Sequence, residues 1–514
     1  MKKEKSLNYK GGRSIDAKSV FLICALVLIY CPFFYTEMIG NYVGDTAIQI
    51  RIGLDCLSSG RFIPTEIYSW HEGLSWLPHE IGWYYLVGIA YKLLGLAGII
   101  GVAAAFNYTI AGIIFKKYSK TVHPLILVGI AAAARLLSFP NYIARPHLFS
   151  ELALLLVIYV MLSEKSILFK SIFFCGTTFL MAWFHGGMVP VLFAVFFVFV
   201  VIELVYKQFK NTLIYLAAAA GAFLCSLLNP LRFDIWTYGF KQSANTGFWQ
   251  INMEWAPKNF EIWEITLILI ALVAFVVDGR VRKFEKSAVI RLCIVCMFLI
   301  ASCKYCRFMN YTALFILALC PEEIQSLINW INDNIFHINK EKIKFSNASF
   351  YILSVFCVLF FAVTSVFSIV KFIPSNTMSS ASAIAAYDEE VVNIVKQNGY
   401  KKIYNSFNSG SWLAFHGIKV HIDNRCDPYM KEYSGIDYLT GQMMIEDIES
   451  MDKFVEKYGC DAIVLDLYPG TTDDWFADDL YAASDRYKVI YDNKITSTYN
   501  PDVNYRWMVV ECIK

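Results

Sequence analysis

Charge is scarce in this chain. Only 17% of its 514 residues are Asp, Glu, Lys or Arg, and 57% are hydrophobic. Soluble domains carry about 25% charged and 45–50% apolar residues, so an ordinary water-soluble globule is excluded. The formal net charge is +2, which lacks the strongly basic field of a nucleic-acid partner. No nucleic acid is expected. No Gly-rich nucleotide fingerprint follows any strand-like segment, and no internal repeat of the kind found in transporters is evident. The 14 cysteines are scattered, mostly through apolar runs. Only Cys426, Cys460 and Cys512 fall in the last 140 residues, too few for a disulfide framework. Cys293-x-x-Cys296 and Cys303-x-x-Cys306 have zinc-like spacing, but they share one apolar run. Ten helical residues rise about 15 Å, so one straight helix cannot close four thiolates around an ion with Zn–S near 2.3 Å. They read as small apolar residues.

What the chain has instead is membrane-grade sequence. Apolar runs occur at about 18–36, 81–95, 97–115, 122–139, 146–163, 168–184, 187–206, 212–228, 261–278, 287–303, 308–320 and 348–371. A bilayer-spanning helix needs about 20 apolar residues. If all of these runs crossed, Lys116–Lys120, Lys207–Lys210 and Arg280–Lys286 would be extracytoplasmic, against the positive-inside rule. Demoting 81–95 removes the conflict. That run contains Gly82 and Gly88, and Trp83, Tyr84, Tyr85 and Tyr91 suit the interface. About eleven crossings follow, with a cytoplasmic N-terminus and an extracytoplasmic C-terminus. The basic segment before the first run has no small-residue cleavage site after it, so an uncleaved first helix is expected.

The fold class expected is therefore mainly α: a polytopic membrane helical bundle with a small C-terminal soluble α/β domain. The membrane domain covers 1–371, with its first outer loop at 37–96. A Ser/Ala-rich linker covers 372–386, and the outer domain covers 387–514. In that domain, 387–397 and 451–458 read as helices, and 402–404, 419–422, 462–465, 489–492 and 508–511 as strands.

This parity gathers the unusual polar residues on the outer face. Ionisable groups near membrane depth are costly and mark functional sites. Asp45 reads as a general base or metal ligand, or as the N-cap of the helix-like segment after it. Glu80 reads as a second carboxylate or as a cap. Arg145 and His147, flanking Pro146, suit phosphate oxygens or interfacial snorkelling. Arg307 could neutralise a phosphate, with Lys304 a weaker partner. Arg51 and His79 join this donor-side group. His185, Asn229, Glu254 and Trp255 are candidates for lining a sugar pocket. In the soluble domain, the polar run His421–Tyr429 follows a strand-like segment, where loop residues bind ligands. Asp423 and Arg425 are its candidates.

The order of motifs resembles the GT-C superfamily of integral membrane glycosyltransferases, which share an acidic residue in the first outer loop, matched here by Asp45. The stretch Asp45-x5-Arg51-x-Gly53, Gly60–Pro64, Tyr68-Ser69-Trp70 and Trp76–Glu80 looks like a large, poorly characterised group of bacterial GT-C-like proteins. So do Arg145-Pro146-His147, Asn229-Pro230, Glu254-Trp255 and Asp423-x-Arg425. The resemblance implies one-step inverting transfer of a sugar from a polyprenyl-phosphate carrier to an acceptor hydroxyl on a glycan, lipid or protein. It places the chain in a bacterial plasma membrane, with Asp45 as base and Arg145, His147 and Arg307 at the phosphate. It leaves room for a divalent metal ion near Asp45, which no motif indicates, and implies no other cofactor. A transporter or flippase for a lipid-linked glycan and a non-catalytic envelope assembly factor are the alternatives.

Overall fold

A computed structural model describes residues 16–31, 42–138, 143–244, 253–337, 345–372, 377–443, 445, 447–467, 473–496 and 504–513. The apolar runs are helical, as they must be where lipid offers backbone groups no partner. Among the described residues, seven helices are long and apolar enough to cross a membrane: Leu96–Tyr118, Ile167–Phe184, Gly186–Val205, Phe209–Ser226, Ile262–Val281, Lys286–Lys304 and Asn347–Val366. Cys306–Leu319 and Pro321–Phe336 make an eighth only as a pair bent by 64°. The bend falls at Pro321, the first residue of its helix, where the missing N–H and the ring break the ladder. Length and composition thus carry seven or eight spans, where the sequence suggests about eleven. The remainder are the shorter apolar helices Ala17–Ile29, Pro124–Leu137 and His147–Leu162. At 1.5 Å per residue they cover about 20–24 Å, less than the roughly 30 Å hydrocarbon core.

The segment Ile81–Leu94, expected at the membrane interface, is also a helix. It crosses the helix Asp45–Ser59 in backbone contact. A Cβ on Gly53 would lie 2.1 Å from the Tyr84 carbonyl oxygen, and one on Gly88 2.7 Å from Gly53 C. Both glycines are required by this approach, which holds Asp45 and Glu80, at the starts of the two helices, at one end of the pair.

The C-terminal unit holds a four-stranded sheet of order β1-β2-β4-β3. β1 (Ile403–Asn405) runs parallel to β2 (Ala462–Leu467). β3 (Tyr487–Thr496) and β4 (Asn504–Cys512) complete it in antiparallel pairing, with a bulge between Val489 and Tyr491. Helices Glu389–Gln397 and Ile448–Tyr458 fall where expected. Residues 419–422 do not join the sheet, contrary to the sequence expectation. Val420 pairs instead with Ser69 of the first outer loop, because that loop satisfies its backbone: Val420 N donates to Tyr68 O at 3.0 Å and Trp70 N to Val420 O at 3.2 Å. The helix Met378–Ile384 packs on the same unit, with Trp412 Nε1 donating to Ser382 Oγ at 2.7 Å.

The outer loop and the C-terminal unit therefore share one core. Trp70 Nε1 donates to Ile403 O at 2.8 Å. Arg425 is clamped between Glu66 and Asp423 with its guanidinium about 5 Å from the rings of Tyr68 and Trp76. Gly410 packs so closely on this region that a Cβ would lie 2.0 Å from Ile422 O. The result places residues 424–427 over the end of the helical bundle where Asp45 and Glu80 lie.

Candidate active site

The helix after the first apolar run begins at Asp45, with Gly44 as its N-cap and no side-chain cap hydrogen bond. Asp45 is thus inside the first turn rather than capping it, and its carboxylate is free to face a cavity of about 420 Å3. Ile48 and Gln49, three and four residues on, line the same cavity, as helical periodicity requires.

Glu80 stands at the N-cap position of Ile81–Leu94, yet its side chain makes no cap hydrogen bond. It accepts from Gln49 Nε2 at 3.0 Å and lies 3.3 Å from His79 Nε2. Gln49 is itself oriented by Trp83 Nε1 at 3.1 Å. The His79 ring lies 3.8 Å from the Tyr238 ring, tilted by 33°, and the His79 carbonyl accepts from Gly186 N at 2.8 Å. That bond ties the first outer loop to the turn carrying His185.

Arg145 is the centre of the charge arrangement. Its Nη1 donates to Glu254 Oε1 at 2.6 Å, and its Nη2 pairs with Asp45 Oδ2. Burial works against the charge on Glu254, but Arg145 and Arg307 outweigh it and hold that carboxyl down to about 2. Burial raises Asp45 above the ordinary carboxylate range, Arg145 pulling it back and Glu254 and Glu80 pushing it up. Of the two carboxylates on the fork, Glu254 therefore keeps its charge and Asp45 is the more basic. Burial also opposes the charge on His79, yet Glu80 and Asp427 raise its pKa.

Arg307 enters from the turn after Lys286–Lys304. Its guanidinium lies 4.7 Å from the Trp255 ring, and Cys306 N donates to Ala256 O at 2.9 Å. Among the described residues no carboxylate pairs with Arg307, so its donors remain available toward the cavity it lines with Lys304 and His147. His185 also lines the cavity, its Nδ1 2.6 Å from Ser150 Oγ.

Asp45, His79, Glu80, Arg145, His147, His185, Glu254, Trp255, Arg307 and Arg425 thus meet in one cavity. Three other candidates do not line it. Arg51 pairs with Asp55 at 2.9 Å and donates to Phe415 O at 3.2 Å, docking the C-terminal unit. Asn229 Nδ2 donates to Ala182 O at 2.6 Å, fixing a helix end. Asp423 is buried under Arg425 and accepts from Tyr429 Oη at 2.8 Å. Gln49, Tyr238, Asn310, Tyr311 and Asp427 also line the cavity and are not among the individual candidates. Two of them carry a sequence signal: Gln49 by its one-turn spacing from Asp45, and Asp427 by its place in the polar run His421–Tyr429. Asp427 accepts from Leu77 N at 3.1 Å, and burial pushes its carboxyl up to about 7. Tyr311 Oη and Asn424 Oδ1 have no hydrogen-bond partner among the described residues, so the cavity has polar valence left for a ligand. As for metals, no three His, Cys, Asp or Glu side chains gather closely enough to hold an ion among the described residues.

The helical bundle, with a polar cavity at one end roofed by a small mixed-sheet unit, has a fold also found among solved structures. Among solved structures the chain is similar to the oligosaccharyltransferase of Archaeoglobus fulgidus in its apo form, with a TM-score of 0.52, 12% identity, and coverage of 96% of this chain and 74% of that one. It is similar to the same organism's archaeal oligosaccharyltransferase AglB, in complex with an inhibitory peptide and a dolichol-phosphate, with a TM-score of 0.51 at the same identity and coverage. At this identity the likeness is one of fold. No family model matches the sequence, and no curated protein matches it.

Proposed function

We propose that this chain is a membrane glycosyltransferase that moves a sugar from a polyprenyl-phosphate carrier to an acceptor hydroxyl by one-step inversion. The observation that carries this reading is one cavity that joins a basic carboxylate, Asp45, to Arg307, which pairs with no carboxylate among the described residues. Asp45 takes the acceptor proton as the acceptor oxygen bonds to the anomeric carbon. The bond from that carbon to the phosphate oxygen breaks on the opposite face. Negative charge then grows on the lipid phosphate, and Arg307, Lys304 and His147 stabilise it. A phosphate leaving group needs no strong general acid.

The chain crosses a bacterial plasma membrane eleven times in this reading, by the seven long spans, the bent pair and the three shorter apolar helices. The N-terminus is cytoplasmic and the C-terminal unit outside. Supporting this parity, the cavity draws on Asp45, Glu80, Arg145, His185 and Glu254, which all lie in alternate connections between these helices, and on Arg307 at the start of the bent pair, next to the following alternate connection. The carrier fits the dolichol-phosphate seen with the archaeal relative of the fold.

The test is mass spectrometry of envelope glycans from cells lacking the chain and from the same cells complemented with wild-type or Asp45→Asn protein. The deletion is expected to lose one defined sugar and wild type to restore it. Asp45→Asn should restore roughly 10²–10⁴-fold less, the usual contribution of a positioned base. Full restoration by Asp45→Asn removes Asp45 as base; an unchanged deletion profile removes the transferase reading.

A further inference from the structure

Asp45, Glu80 and Glu254 line one cavity. Three carboxylates sharing one cavity repel one another and must be balanced. A divalent cation with oxygen ligands is one solution, and the chain supplies a different one. Arg145 puts Nη1 on Glu254 Oε1 at 2.6 Å and Nη2 on Asp45 Oδ2, so one guanidinium fork joins two carboxylates that are 109 and 100 residues away in sequence. Glu80 is balanced separately by His79 at 3.3 Å and Gln49 at 3.0 Å. Each carboxylate thus faces an N–H donor rather than its neighbours.

We infer that Arg145 is a built-in cation, standing where a divalent ion would otherwise bridge Asp45 and Glu254, and that the site holds its carboxylates without a bound metal. The backbone is shaped for this task. Pro146 restricts the conformation of Arg145, Arg145 N donates to Ile143 O at 2.9 Å, and Leu148 N donates to Arg145 O at 3.1 Å. A guanidinium does not lose its proton in proteins, so the cation of the bridge is permanent. A bridging ion could also bind donor phosphate, whereas Arg145 has these two terminal nitrogens committed to carboxylates. On the transferase reading proposed above, the leaving charge then falls mainly to Arg307 and Lys304.

The experiment is Mn²⁺ titration of full-length, EDTA-stripped protein in detergent, with free and bound ion separated by electron paramagnetic resonance. Wild type is expected to bind no stoichiometric Mn²⁺ in the micromolar range. Arg145→Ala, which leaves Asp45 and Glu254 facing each other, should gain one equivalent. Adding Asp45→Asn to that variant should abolish the gain. Arg145→Gln provides a second vacated fork should the Ala protein fail to fold. One equivalent on wild type that Asp45→Asn removes would overturn the inference, and so would silence from both Arg145 variants. The readout is ion occupancy, so it stands or falls apart from sugar transfer, which the envelope-glycan comparison tests.

Discussion

Arg145 and Arg425 each join two carboxylates, and they do so in different surroundings. Arg145 joins Asp45 and Glu254 with side chains 20%, 30% and 35% exposed. Arg425 joins Glu66 and Asp423 with side chains 5%, 4% and 0% exposed. The first set opens on the cavity, where charges keep partial solvation and can exchange partners with a ligand. The second is dry and elaborately satisfied, with Arg425 Nε and Nη2 on Asp423 at 2.9 and 2.6 Å and Tyr429 Oη on Asp423 at 2.8 Å. The same residue types thus make an adaptable site in one place and a fixed joint in the other, and exposure separates the two jobs.

The largest effect expected follows from that separation. Arg425→Ala leaves two carboxylates buried without a cation, which costs about 3–5 kcal/mol of stability. Arg145→Ala leaves its partners at the cavity, where the loss should be about 1 kcal/mol. Unfolding of both variants in detergent, with proteolysis of the C-terminal unit as a second readout, measures the contrast. Equal losses would break it.

A smaller effect sharpens the comparison between carboxylates of the one cavity. Asp427 is pushed from an ordinary value of 3.8 up to about 7, by burial first, with Asp423 adding to it and His79, Leu77 N–H and Arg425 opposing it. Between these values the folded protein holds a proton that the unfolded chain has released. This group's contribution to stability therefore falls as pH rises from about 4 to about 7. Glu254 has the opposite sign: held at about 2 from an ordinary 4.5, it adds stability above 4.5 that is lost as pH falls toward 2. Asp427→Asn keeps an acceptor for Leu77 N and removes the titration. Its unfolding free energy should gain on wild type across pH 4–7, by on the order of 4 kcal/mol, and run parallel above. A constant difference at all pH values would discard the assignment.

Much of the cavity was legible because ionisable residues stand out in an apolar chain. Asp45, Arg145, Glu254 and Arg307 could be assigned to one side from loop charge alone, and the structure brings all four together. What residue type cannot convey is which face of a local element the residue occupies. Arg51 and Arg145 look alike in sequence, yet Arg51 points to Phe415 O and Arg145 to the cavity. Tyr238 and Tyr311 were invisible among the 31 tyrosines, since only the packing of distant helices turns them inward. The strand-like 419–422 segment failed for a related reason. Its pattern is β-like, but the partner that takes it is 351 residues away in the outer loop, and strand pattern carries no information about partner choice.

The smallest effect expected tests whether that outer loop and the C-terminal unit are one body. Trp70 donates from Nε1 to the carbonyl of buried Ile403 at 2.8 Å, while its ring lies 3.9 Å from His71 and 5.8 Å from Tyr458. Trp70→Phe keeps an aromatic ring there but leaves the Ile403 carbonyl without this donor, a cost of about 1 kcal/mol. Trp263 offers the control. It is 41% exposed and donates within its own helix start to Glu261, so Trp263→Phe should leave stability unchanged. If the two units share a core, Trp70→Phe lowers a single unfolding transition observed by both tryptophan fluorescence and C-terminal proteolysis. If proteolysis shifts while the helical signal of the membrane bundle does not, the joint is weaker than its buried contacts imply, and residues 424–427 roof the cavity only loosely.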